Sequence, residues 1–292
     1  MKKIIVLLLT FCILLCACGK KDKEKNGAKE SETDTDTDTV SVVSDIDTAT
    51  FSEPEIMPAN ATFDNLSNEK ICFGCGTEVD ENNRTVGAVS MQEEYGEHDA
   101  LFIGEPTSCI YLTFDEGYEN GYTSQILDTL KDKGVSATFF VTLDYVKKNK
   151  DLITRMINEG HVVGNHTCSH PSMPDLTVEE MTDEIMGLEN YVYENFGYKM
   201  TTFRPPMGEF SERSLALTQS LGYETVLWSF AYKDWLTDDQ PECDYAYDRI
   251  TSATHDGAVY LLHAVSSTNT SVLGSVIEYW RESGYEIKAV GK

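Results

Sequence analysis

Positive charge is what this chain most conspicuously lacks. It carries 23 Lys and Arg against 49 Asp and Glu, a formal net charge of −26. Binding nucleic acid requires clustered cations to neutralise phosphates, so that class of partner is excluded. Part of the acidity sits in an N-terminal tail and says little about the active surface. Long apolar runs are scarce as well. "IIVLLLTFCILL", residues 4–15, is too short to span a bilayer comfortably, and no second run follows it. Zinc-finger spacing is missing too: "CFGCG", residues 72–76, is C-x-x-C, but no second Cys or His pair lies at finger distance. A Cys72–Cys75 disulfide is compatible with an oxidising compartment. Beyond the leader stand Cys72, Cys75, Cys109, Cys168 and Cys243, an odd set that leaves at least one free thiol.

What is present begins with an export signal. Lys2 and Lys3 precede the apolar run, and the run ends at "LCAC", residues 15–18. That box resembles the cleavage and lipidation site of bacterial lipoproteins. The resemblance implies that residues 1–18 are a signal peptide and that Cys18 becomes a diacylglyceryl-bearing first residue. Two acyl chains hold a protein at a membrane where one is marginal. The alternative is an uncleaved N-terminal membrane anchor; either way the domain faces outward, extracytoplasmic. Residues 19–68 include "KKDKEKNGAKE" and "SETDTDTDTV", polar repetitive stretches that cannot bury enough apolar surface to offset chain entropy. They read as a disordered acidic tether with a mean reach of about 40 Å. Residues 69–107 read as a lead-in, and 108–292 as the catalytic domain.

From residue 108 short apolar runs alternate with amphipathic stretches. Strands are expected at 109–114, 137–142, 161–165, 201–204, 225–229, 258–263 and 286–290. A helix is expected at 178–195, where Val178, Met181, Ile185, Leu188 and Val192 keep one face apolar. Thr177 and Glu180 form a T-x-x-E capping box before it, and Gly197 is a stop signal after it. Strand–helix alternation of this kind argues for an α/β fold of about seven parallel strands, closer to a barrel than to an open sheet. Functional groups on such folds gather at the C-terminal ends of the strands. Asp115 and Glu116, His166 and His170, Arg204, Asp234 and Trp235, and His263 all fall there.

"GNHTCSHP" places two imidazoles at i and i+4, a spacing that lets both reach one ion from a single helical turn. A bound metal makes water acidic enough to supply a nucleophile toward a carbonyl. Asp115 suits the base and His263 the acid, because imidazole titrates near neutrality. Arg204 is placed to hold Asp115 by a bidentate ion pair, and Asp234 to orient His263. Tyr118 places an aromatic face beside these groups. His98 and His255 stand in polar, loop-like contexts and read as solvent-facing, and His161 as a packed structural residue.

"TFDEGYENGYT", "GNHTCSHP", "FRPPMGEFSERS", "SFAYKDW" and "VYLLHAVS" together resemble the polysaccharide deacetylases, carbohydrate esterase family four, also called the NodB homology domain. The resemblance covers about residues 108–290. It implies a distorted (β/α) barrel that removes acetyl groups from N-acetylated sugars with a divalent metal, commonly Zn2+, with Co2+ or Mn2+ as alternatives. It further implies Asp115 as base, Glu116, His166 and His170 as metal ligands, Arg204 as tether of the base and Asp234 as tuner of the acid His263. The Met207 N–H would help hold the oxyanion, and Trp235 and Leu262 would wall the acetyl pocket. Glu116 departs from the family pattern, which has aspartate there. "DEGYENGYT" and "RPPMGEFSERSLALTQSLGYETVLWSFAYKDW" are most similar to the peptidoglycan N-acetylmuramic acid deacetylases of muramic-δ-lactam formation. The implied partner is therefore a peptidoglycan glycan strand, reached from a lipid-anchored position at the membrane. The alternatives are a deacetylase of N-acetylglucosamine or chitooligosaccharides, and a non-catalytic lipid-anchored glycan-binding protein.

Overall fold

The computed structural model describes residue 63 and residues 65–291. The signal peptide, Cys18 and nearly all of the tether lie outside the described residues. Ten strands follow in chain order: β1 Ile71–Cys72, β2 Ala100–Leu101, β3 Cys109–Glu116, β4 Thr138–Val141, β5 Val162–Asn165, β6 Thr202–Phe203, β7 Glu209–Phe210, β8 Glu224–Val226, β9 Ala258–His263 and β10 Glu286–Lys288. Eight α-helices accompany them among the described residues: α1 Val86–Tyr95, α2 Thr123–Lys133, α3 Leu143–Lys148, α4 Lys150–Asn158, α5 Val178–Phe196, α6 Glu212–Ser220, α7 Cys243–Ser252 and α8 Ser267–Glu282.

Eight of the strands form one curled parallel sheet in the order β10-β3-β4-β5-β6-β8-β2, with β9 on the other side of β3. Past the end of β8 the chain turns toward β9, where Phe230 bridges Tyr260 in parallel and Leu261 N–H donates to the Phe230 carbonyl at 2.9 Å. That contact closes the sheet into a distorted barrel. Closure is thin at β6, only two residues long, whose ladder to β8 stops at Phe203 and Thr225.

The seven expected strands all form, with ends shifted by up to a few residues. The eighth, β2, belongs to the segment read as a lead-in. It pairs with β8 through Ala100 and Leu101, while β1 pairs antiparallel with β7. Residues 69–107 are thus built into the catalytic unit. The capping box is present: Thr177 Oγ1 accepts from Glu180 N–H at 3.2 Å, and Glu180 Oε2 accepts from Thr177 N–H at 2.8 Å. Gly197 ends α5 in the left-handed conformation.

Two apolar clusters follow from strand alternation. Phe114, Phe139, Val163, Tyr260 and Leu262 face the helices. Phe140, Val226, Val259 and Leu261 face the barrel interior with Phe102, Phe210 and Trp228. Both faces of these strands are buried, as parallel sheets require.

Candidate active site at the C-terminal rim

A groove of about 890 Å3 opens at the C-terminal ends of the strands. Asp115 is the penultimate residue of β3, His166 follows β5, Arg204 follows β6 and His263 ends β9. Asp115 and His263 are paired Cα to Cα across the β3–β9 ladder. A second concavity, about 950 Å3, lies toward the strand starts near Gly134, Ser136 and Glu224, and no histidine or aspartate lines it.

Arg204 is fully buried and does two jobs. Its Nη1 donates to Asp115 Oδ1 at 2.7 Å, while Nε and Nη2 donate to the Val226 and Leu227 carbonyls at 2.9 and 3.0 Å. Those carbonyls lie beyond the point where the short β6 ladder stops, so the guanidinium replaces missing sheet hydrogen bonds. The ion pair is monodentate, not the bidentate fork read from the sequence, because the other donors are committed to backbone. Phe140 stacks under the guanidinium at 4.2 Å. Gly164 leaves room for that ring, since a Cβ there would lie 2.5 Å from it. Burial opposes ionisation of Asp115, but the nearby Arg204 charge, with His166 and His263, outweighs it and holds the carboxyl below its ordinary range.

His166 donates Nδ1–H to the Arg204 carbonyl at 2.8 Å. Burial depresses its pKa to about 4, so the ring is neutral at neutral pH and Nε2 presents a lone pair. That lone pair faces Asp115 Oδ2 at 3.6 Å. The His170 ring stands edge-on to His166, centroids 4.8 Å apart. No helical turn brings them together. Thr167 and His170 both take left-handed φ, +71° and +63°, conformations that cost a β-branched or bulky residue about 1–3 kcal/mol. The loop is held to α5 by Cys168 N–H on the Glu184 carbonyl, at 3.1 Å, and by Ser169 N–H and Oγ on the Glu184 carboxylate, at 2.8 and 2.6 Å. The His166 Nε2 lone pair opposite a free carboxylate oxygen suits a divalent cation: two electron-pair donors 3.6 Å apart gain from a positive charge between them, with the His170 ring alongside.

Glu116 does not join them. As the residue after Asp115 on an extended strand it faces the other side, toward the helices. There it is fully buried, with Oε1 accepting from Thr123 Oγ1 at 3.3 Å and Oε2 without a hydrogen-bond partner. Burial, reinforced by the neighbouring Glu119 charge, raises its pKa well above the ordinary carboxyl range. Among the described residues no three His, Cys, Asp or Glu side chains are grouped as a metal site. The Glu116–His166–His170 triad read from the sequence is therefore not formed; His166 instead lies beside Asp115 on one side and the His170 ring on the other.

Across the groove, Asp234 is fully buried and accepts three hydrogen bonds. They come from His263 Nδ1–H at 2.7 Å, His263 N–H at 2.8 Å and Asn269 Nδ2 at 2.6 Å. This fixes the His263 tautomer and turns Nε2 to the groove. Burial opposes protonation of His263, but the Asp234 bond and charge overcome it and raise the pKa. Trp235 packs against His263 at 5.6 Å between centroids and, with Tyr118 and Met207, presents an exposed apolar wall. Met207 stands at the groove with left-handed φ of +59°. Leu262 is not at the groove. It is buried in the helix-facing core, and Leu261, which shares a strand face with His263, lines the groove instead.

Unforeseen parts of the site are Asn269, with no motif to flag it, and the backbone at Gly74–Thr77, which forms one groove wall. His255, read as solvent-facing, is buried and bonds Ser229 Oγ at 2.9 Å. All five cysteines of the described residues are unpaired.

An aspartate and a histidine on adjacent strands, each with its own buried partner, thus face one groove beside two further imidazoles. Residues 103–226 match the family model for polysaccharide deacetylase. The chain is 41% identical over 229 residues to PdaA of Bacillus subtilis, a peptidoglycan-N-acetylmuramic acid deacetylase, covering 77% of this chain and 86% of that protein. The solved structure of PdaA, a family 4 carbohydrate esterase, aligns with TM-score 0.73 at 40% identity, over 77% of this chain and 97% of that chain. A family 4 carbohydrate esterase from Bacillus anthracis aligns with TM-score 0.64 at 36% identity, over 77% and 96%. PgdA of Listeria monocytogenes, a peptidoglycan-N-acetylglucosamine deacetylase, is 31% identical over 181 residues, 62% of this chain and 38% of that protein. The chain belongs to the polysaccharide deacetylase family and is a family 4 carbohydrate esterase.

Proposed function

We propose that the protein hydrolyses the N-acetyl group of peptidoglycan amino sugars, with N-acetylmuramic acid as the preferred residue. The observation that carries this reading is the pairing of Asp115 and His263 across one ladder, each with its own buried partner. Similarity to PdaA over most of both chains supports the muramyl choice.

A divalent cation, Zn2+ by the chemistry of the donors, would be held by His166 and His170 with Asp115 adjacent, and when bound it polarises the acetamide carbonyl and the attacking water. Asp115 accepts the proton of that water, its carboxyl kept ionised by Arg204. His263 delivers a proton from Nε2 to the departing amine nitrogen, while its Nδ1–H stays on Asp234. One C–O bond forms, the amide C–N bond breaks, and acetate and a free amino sugar leave. The Met207 N–H is assigned to the developing oxyanion. Trp235 and Leu261 flank the acetyl methyl, and Tyr118 stacks on the sugar. Attachment outside the membrane through Cys18 remains part of the proposal and rests on the N-terminal sequence alone.

The experiment is acetate release from peptide-free glycan strands by the purified protein, with and without chelator. Asp115→Asn is expected to lower kcat at least about 10^3-fold, in the range of losing a general base with its positioning. Undiminished release from that variant would overturn the assignment. One observation favours a second reading, an N-acetylglucosamine substrate. Among the described residues lining the groove there is no Lys or Arg to meet the muramyl lactyl carboxylate, and Asp144 is present. Defined muramyl and glucosaminyl oligosaccharides compared side by side decide between them.

A further inference from the structure

We infer that Asn269 is a positioning residue for the acid, acting through Asp234, and that Tyr232 fixes the orientation of its amide. The inference rests on the reading of His263 as the proton donor and assigns a role to two residues outside that reading.

Asn269 lies in the first turn of α8 and is 1% exposed. Its backbone N–H donates to the N-cap Ser266 Oγ at 3.0 Å, which places the side chain toward the end of β9. From there Nδ2 donates to Asp234 Oδ2 at 2.6 Å and to the His263 carbonyl at 3.3 Å. Its Oδ1 accepts from the buried Tyr232 hydroxyl. The network admits one amide orientation. A flip would set Oδ1 against the Asp234 carboxylate and leave the Tyr232 hydroxyl facing an NH2 group.

The consequence reaches His263. The Asp234 carboxylate can accept about four hydrogen bonds and could rotate to share them differently. With Asn269 and the His263 backbone N–H both on Oδ2, the carboxylate plane is set from two directions and Oδ1 is left for His263 Nδ1–H. The imidazole then keeps one tautomer, with Nε2 as the proton-exchanging atom toward the groove. The loop carrying Asp234 is held from the same helix end. Gln240 Nε2 donates to the Asp234 and Leu236 carbonyls at 2.8 and 2.7 Å, and Ser266 Oγ donates to Gln240 Oε1. Without the amide, Oδ2 would be held by the His263 N–H alone, and the carboxylate could pivot about that one bond, a freedom that the ring would share.

The test uses the full-length protein and two variants, Asn269→Ala and the near-isosteric Asn269→Asp. With peptide-free glycan strands as probe, kcat is expected to fall about 10- to 100-fold while KM stays within about twofold, the effect of one lost hydrogen bond to a charged group expressed at the transition state. In parallel, 15N NMR of the His263 ring is expected to show a single Nδ1–H tautomer in the wild type and a mixture in both variants. A purely structural role would lower thermal stability and leave the tautomer unmixed. Unchanged kcat in Asn269→Ala, or an unmixed tautomer in both variants, overturns the inference. If the wild type releases no acetate, the functional reading fails, and the ring spectra still decide the positioning role.

Discussion

Asp115 and His263 are register partners on adjacent parallel strands, yet each takes its second polar contact from a different side of the barrel. Arg204 holds the carboxylate from the β6 end, and Asp234 holds the imidazole from the loop before α7. Carboxylate and imidazole therefore stand a strand spacing apart without sharing a hydrogen-bond partner, while each charge favours the ionised form of the other. That separation allows one to be ionised and the other protonated at the same pH.

Arg204 is the first place to test this. In Arg204→Met the burial of Asp115 is no longer opposed by the adjacent cation, so its carboxyl moves up from below the ordinary range. A carboxylate in the base role proposed for Asp115 works only when ionised, and activity is then lost as pH falls through its pKa. The acid limb of the kcat/KM profile should therefore move to higher pH. The same variant leaves the Val226 and Leu227 carbonyls without donors and is expected to cost about 3–5 kcal/mol of stability, measured by urea unfolding. An acid limb that stays in place would show that Arg204 does not govern the base.

The direction of Glu116 gives a sharper test of the metal donors. Its carboxylate lies on the helix side of β3 with Thr123, not with His166 and His170. By isothermal titration with Zn2+, Glu116→Gln is expected to keep one site with affinity within about threefold of wild type. His170→Ala should lose at least about 100-fold, as befits removal of a ligand compared with a group outside the set. Loss of the site in Glu116→Gln would mean that the side chain turns around β3 to bind.

How much of this could be read from the chain is clearest at strand ends. The capping box at Thr177, the strand 258–263 and the rim placement of Asp115, His166, Arg204 and His263 follow from local pattern and from the parallel α/β rule. Which face a residue takes does not. The resemblance puts Glu116 among the metal ligands and Leu262 on the acetyl pocket, yet both face the helices. Alternation normally reveals the inner face, but strands buried on both sides are apolar throughout and carry no such mark. β2 carries no readable pattern because two residues hold no period. The His166–His170 loop resembled a helical turn in spacing, and only the left-handed φ at Thr167 and His170 shows otherwise. Asn269 is invisible because an amide near a helix start reads as an ordinary polar surface residue.

Glu189 offers a pH signature away from the site. It is buried in α5, accepting from Tyr223 OH at 2.9 Å and Met200 N–H at 3.1 Å. Burial raises its folded pKa, partly offset by those donors. The unfolded chain then ionises first, near the ordinary 4.5. Stability attributable to this group is highest below that value, declines as pH rises toward the folded pKa, and is constant beyond. Glu189→Gln removes the titration, so its stability relative to wild type should improve from pH 4 to pH 7 in parallel denaturant titrations. A difference independent of pH would show that Glu189 ionises equally in both states.

Leu261 and Leu262 are neighbours in sequence and separated by the sheet, which makes them a matched pair for testing the register. Leu261 shares a face with His263 and lines the groove, whereas Leu262 is 1% exposed among helix-facing core residues. Leu262→Ala removes packing from both sheet and helices and is expected to cost about 2–5 kcal/mol, with KM nearly unchanged. Leu261→Ala borders open space on one side, so the surroundings relax more easily and the stability loss should be smaller. Its effect should appear instead in discrimination between N-acetyl and bulkier N-acyl substrates, because the enlarged wall no longer rejects an added methylene, a preference worth about 1–3 kcal/mol. If Leu262→Ala relaxes acyl selectivity and Leu261→Ala does not, β9 is out by one residue, and with it the inward face given to His263.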